Sequence, residues 1–133
     1  MKQKVVISGS GSLQGKVSYW RKYFESKDYE VIAFPKPWSN TNSHDSRLEG
    51  LYVSFYEAID ACDVFFLMNE DKGNVSGYIG ANCTAELIYA TVLKLRSRKD
   101  MKIYIAKIPD NIVPLSEEIN SFLRLGWVEL YKQ

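Results

Sequence analysis

Glu86 is the only side chain with a formal charge between Gly73 and Leu93, in a run where Ala85, Leu87, Ile88, Ala90, Val92 and Leu93 crowd around it. A helix so apolar is expected to be mostly buried. Burying a carboxylate costs several kcal/mol unless it is paired, hydrogen-bonded or allowed to protonate. Two readings follow. Glu86 is either a first-turn carboxylate at the surface, favoured by the free amides and the dipole of a helix N-terminus, or a carboxylate held at the mouth of a ligand site. The residues before it suit the second reading. Gly77 and Gly80, with the small Ser76 and Ala81, let the preceding loop pass close to a ligand. Tyr78 offers a flat face for a base or ring, and Asn82 or Thr84 is placed to cap the helix. The chemistry implied is a sugar or nucleotide pocket with one anionic residue against it.

A second stretch with chemical content is SGSGSLQGK, residues 8 to 16. Glycine amides ahead of a helix cradle anions, but the run is neither GxxxxGKS/T nor GxGxxG. It is equally a plain tight strand-to-helix turn. His44, the only histidine, falls in the polar stretch SNTNSHDSR and is expected to be an exposed loop residue rather than a catalytic base. No His/Cys/Asp cluster has ligand spacing, so no metal site is expected, and no cofactor is implied. Trp38 either closes over a ligand as part of a lid or packs on the sheet edge. Cys62 and Cys83 lack a CxxC spacing and sit in apolar surroundings, as reduced core thiols do.

The elements that must position these residues alternate. KVVIS (4 to 8) reads as a buried strand, and residues 16 to 27 bring Val17, Trp20, Tyr23 and Phe24 onto one helical face as core. YEVIAF (29 to 34) is a second strand, followed by a long, proline-broken polar connection. A helix is drawn over 48 to 61 with Leu51, Phe55, Ile59 and Cys62 inward, then the strand DVFFLMN, a long helix over 82 to 98, and the strand KIYIAKIP stopped at Pro109. A helix near 114 to 125 and a short WVELY edge strand complete five strands. Apolar strands alternating with helices predict an α/β fold: a doubly wound, mainly parallel five-stranded sheet with helices on both faces. Ligands in such sheets bind beyond the carboxyl ends of the strands, where strand order reverses. The loops after Ser8, Phe34 and Asn69 lie at that edge.

The 133 residues, 46% of them apolar and 14% aromatic, suit one domain, 1 to 133, with one core. A net charge of +1 with scattered Lys and Arg gives no electrostatic reason to expect a nucleic-acid polymer or an anionic membrane as partner. No apolar run approaches the roughly 18 residues of a membrane span, and the opening MKQKVVISGSG is too brief in its apolar part for a signal peptide. A cytoplasmic protein with a small-molecule partner is expected.

The stretch NEDKGNVSGYIGANCTAELIYA resembles the nucleoside 2-deoxyribosyltransferase-like family, in particular small members with an N-x-D-K…YIG-x-N-T-x-x-E-I-x-x-A pattern. The order of elements fits along nearly the whole chain. The resemblance implies a flavodoxin-like domain, a homodimer or larger, with sites near subunit contacts. It implies that Glu86 is the nucleophile, attacking the anomeric carbon of a nucleoside or nucleoside 5′-monophosphate to give a glycosyl-enzyme, with water or a second base resolving it. That is the logic of a retaining glycosidase. Asp71, Glu57 or Tyr56 is then the candidate acid or base-holding group. Ser8, Gly9, Ser10, Ser12, Asn69, Gly77, Tyr78, Gly80, Asn82 and Thr84 would bind sugar, phosphate or base. Two of the family's positions carry other residues. The aspartate eight residues before Asp63 is Phe55, and the tyrosine of the first strand is replaced by Val6 and Ile7. These departures motivate the alternative of a non-catalytic nucleotide or nucleotide-sugar binding module on the same scaffold.

Overall fold

The computed structural model describes residues 1–37 and 44–133, the side chains of 44–48 excepted. The chain alternates β1 (Lys4–Ser8), α1 (Gln14–Ser26), β2 (Glu30–Ala33), α2 (His44–Ala61), β3 (Val64–Leu67), α3 (Ala81–Arg96), β4 (Lys102–Ile105), α4 (Ser116–Arg124) and β5 (Glu129–Leu130). The five strands form one sheet in the order β2-β1-β3-β4-β5, and every pairing is parallel. Strand order reverses between β1 and β3, the switch point of a flavodoxin-like sheet.

Period-two alternation sorts the strands into two apolar faces. Val5, Ile7, Val64, Phe66 and Met68 face α1, which buries Val17, Trp20 and Phe24 against them. Val6, Phe65, Leu67, Ile103 and Ile105 face the other way, onto Ile59 of α2, Leu87 and Ala90 of α3, and Ile119 of α4. Because β3 is buried on both faces, its VFFL run has no polar alternation at all. Helices thus cover both faces, as the sequence predicts. Among the described residues no helix is long and apolar enough to cross a membrane.

Several boundaries differ from those drawn on the sequence. α2 begins at His44, four residues before Leu48, so His44 opens a helix instead of sitting in a loop. From His44 to Arg47 the sequence holds neither proline nor glycine, and nothing there stops a helix. The side chain of His44 and the whole of Trp38 lie outside the described residues. β3 stops at Leu67 and β4 at Ile105, short of the DVFFLMN and KIYIAKIP runs. Just past these ends the Ala106 N–H is shared between the Leu67 carbonyl (3.0 Å) and Asn69 Oδ1 (2.9 Å), and the Lys107 N–H goes to Asn69 Oδ1 (3.0 Å), so a side chain takes over from the neighbouring strand.

Two glycines after β1 are fixed by close packing. A Cβ on Gly9 would stand 2.5 Å from Cγ of Met68, and one on Gly11 would stand 2.6 Å from the carbonyl oxygen of Lys36. The glycine-rich loop is therefore pressed onto its own chain, between the end of β3 and the segment after β2.

Candidate functional site

Ser8 closes β1 and Glu86 lies in the second turn of α3, and the parallel β1–β3 pairing brings them together across 78 residues of sequence. Ser8 Oγ, on a fully buried residue, donates to Oε1 of Glu86 at 2.6 Å. Burial pushes the Glu86 carboxyl up to about 7, and the Ser8 hydrogen bond pulls in the opposite direction because it favours the ionised form. The first-turn reading of Glu86 is corrected here. The helix starts at Ala81 with no acidic residue in its first turn, so Glu86 is beyond the free amides and relies on Ser8. The expected side-chain cap is also absent. Gly80 is the N-cap without a side-chain bond, Thr84 Oγ1 donates back to the Gly80 carbonyl (2.9 Å), and Asn82 stands one residue inside the helix. Nor is α3 mostly buried: Cys83, Leu87, Ala90 and Thr91 are, while Tyr89 and Val92 are exposed.

Glu86 lines a cavity of about 540 Å³ at the carboxyl ends of β1 and β2. One side is the Gly9–Ser12 loop. Another is the end of β2, with Ile32, and the segment after it, with Phe34 and Pro35. α2 adds Tyr52 and Phe55, and α3 adds Asn82 and Cys83. The aromatic and aliphatic walls suit a flat ring, and two cations, Lys36 and Lys72, share the same space. Lys72 Nζ donates to Ser10 Oγ (3.2 Å), and Ser10 and Ser12 share a hydrogen bond of 2.8 Å. Tyr52 donates to Oδ1 of Asn82 at 2.9 Å, which leaves the two amide hydrogens of Asn82 for a ligand. Cys83, in the same wall, is a buried thiol. Burial, and secondarily the Glu86 charge, pushes its thiol up to about 11.

Of the residues singled out from sequence, Gly9, Ser10, Ser12, Asn82 and Glu86 line this cavity, and Ser8 touches it through Glu86. The others are placed differently. Asn69 is buried with its amide fully engaged, Nδ2 donating to the carbonyls of Lys107 (2.7 Å) and Gly77 (3.4 Å). Gly77 has φ +65°, and a Cβ there would stand 2.8 Å from Cα of Pro109, so it serves packing and not ligand approach. Asp71 accepts the Gly77 N–H (3.1 Å) and pairs with Lys107 (3.2 Å). Those contacts, the Gly77 bond foremost, hold its carboxyl below the usual range, and Asp71 does not line the cavity. Tyr78 is half-buried with the Lys72 ammonium 5.0 Å from its ring centroid, and neither it, Gly80 nor Thr84 lines the cavity.

Sequence reasoning gave no role to Lys36, Lys72 or Tyr52. Lys72 carried a signal, as the last cation before the neutral run that holds Glu86. Lys36 and Tyr52 carried none, because their place at the cavity depends on how the β2 connection and α2 fold back over the sheet edge. Compared with protein-family models, with curated proteins and with solved structures, the chain matches none.

Proposed function

We propose that the cavity binds a nucleoside or nucleoside 5′-monophosphate and that Glu86 cleaves or exchanges its base. The observation that carries this reading is a half-buried carboxylate, held by Ser8, in a cavity that also has apolar walls and two lysines. A Glu86 carboxylate oxygen forms a bond to the anomeric carbon as the bond from that carbon to the base breaks, its electron pair leaving with the base. Water or a second base then takes the sugar from the ester and returns the carboxylate. Lys36, Lys72 and the amides of the Gly9–Ser12 loop supply positive charge and donors for a 5′-phosphate. The base would rest between Phe34 and Phe55.

A second reading has its own observation. Phe55 stands where the family has an aspartate, and Asp71 is turned to Lys107, so the cavity supports a nucleotide-binding module without turnover. One experiment separates them: incubation of the protein and its Glu86→Ala variant with nucleosides, deoxynucleosides and their 5′-monophosphates, following free base by chromatography. Base release lost in the variant supports the enzyme. A nucleotide-dependent rise in Tm with no base released from any substrate supports the binding module.

A further inference from the structure

The two oxygens of Glu86 are not equivalent. Oε1 takes the 2.6 Å hydrogen bond from Ser8, whereas Oε2 accepts none among the described residues. Ser8 is fully buried at the last position of β1, and its backbone is tied to β3: its carbonyl accepts the N–H of Met68 at 2.8 Å, and it pairs in register with Leu67. A hydroxyl anchored so firmly holds its partner in one orientation. We propose that Ser8 is the positioning residue of this site, fixing Oε1 of Glu86 and leaving Oε2 as the oxygen presented to a ligand in the cavity. Ser8 is thereby moved from the ligand-binding set to a role exerted through Glu86.

The assignment of Oε2 as the reacting oxygen rests on the glycosyl-transfer reading above, but the hold on Oε1 does not. Among the described residues, the titratable groups around the carboxylate are the Cys83 thiol on α3, the Tyr56 and Tyr52 phenols on α2, and the ammonium groups of Lys72 and Lys36 that line the same cavity. None of them hydrogen-bonds Glu86 among the described residues, so Ser8 is the specific partner that favours the ionised form.

The test is a ¹³C carboxyl titration of the intact protein by NMR, with the Glu86 signal identified by its loss in Glu86→Gln. The wild-type carboxyl, pushed up by burial, is expected to titrate near 7. Removing a hydrogen bond to a charged acceptor in Ser8→Ala moves that midpoint up by about one unit. Ser8→Cys keeps a weaker donor and gives an intermediate shift. An unmoved Glu86 midpoint in a folded Ser8 variant overturns the proposal, and if Ser8→Ala does not fold, Ser8→Cys still reads an upward shift, smaller in size. Base release measured on the same samples separates the two ideas. A shifted titration with no release by any variant keeps the positioning role and removes the glycosyl-transfer reading. Where release occurs, its pH profile moves with the NMR midpoint, which a merely structural serine would not cause.

Discussion

A carboxyl group raised to about 7 in the folded state binds a proton that the unfolded chain, with an ordinary glutamate, releases near 4.5. Between those values the native state holds more protons than the unfolded one, so the Glu86 contribution to stability falls as pH rises and is fully lost above about 7. Because the residue is only partly buried, the loss is discounted to on the order of 2 kcal/mol. Glu86→Gln keeps an acceptor for Ser8 and removes the ionisation. Its Tm is expected to exceed that of the wild type at pH 8.5, with the gain shrinking towards zero by pH 4.5. A gain of equal size at both ends would mean that Glu86 ionises in the fold as it does in water. The cost is what a functional carboxylate carries, since a poised pKa near neutrality serves proton and nucleophile chemistry. The sequence already marked Glu86 by its isolation among apolar neighbours. It could not mark Ser8, because a β1 residue and an α3 residue 78 positions apart meet only through the sheet.

The connection after β3 carries most of the apparent motif, yet half of it is spent on building. Asn69 sits where polar residues at strand ends commonly face a ligand, and its own sequence holds no sign of the neighbouring strand. In the fold its side chain turns sideways to the end of β4, closing four hydrogen bonds with the backbone of Ala106, Lys107 and Gly77. Asn69→Ala strands buried backbone groups, and a loss of about 3 kcal/mol is expected from that. In urea the midpoint should fall at unchanged slope. A loss of ligand affinity with intact stability would instead return Asn69 to the binding site. The apolar strands and the helix order were legible because burial on both faces leaves a plain imprint, as in VFFL of β3. The orientation of Asn69 and the pairing of Asp71 with Lys107 were not, since both depend on partners 36 to 38 residues away.

At the scale of the molecule, the cavity lies beside the switch point between β1 and β3, on the face covered by α2 and α3. Its walls come from the loop after β1, the segment after β2, α2, the loop after β3, and α3. A ligand seated there touches five parts of the chain that have no contiguity in sequence, so its binding free energy is expressed as stability of the whole fold. At a hundredfold excess over Kd the gain is about 2.7 kcal/mol. For a chain of this size that is a Tm rise of roughly 8 °C. On the proposed function, the two cations in the cavity favour an anionic ligand over a neutral one. Lys72 reaches Ser10 across the loop, and together with Lys36 it gives the cavity positive charge in an otherwise neutral chain of net charge +1. Lys72→Met removes the ammonium that stands 5.0 Å from the Tyr78 ring centroid and keeps an alkyl stem of similar length. It should weaken a nucleoside 5′-monophosphate by about tenfold, roughly 1.4 kcal/mol, while leaving the parent nucleoside within a factor of two. Thermal shifts of wild type and variant with the two ligands measure the difference directly. Equal weakening of both would place Lys72 on the sugar or base, and no weakening of either would leave it as a strut between the two loops.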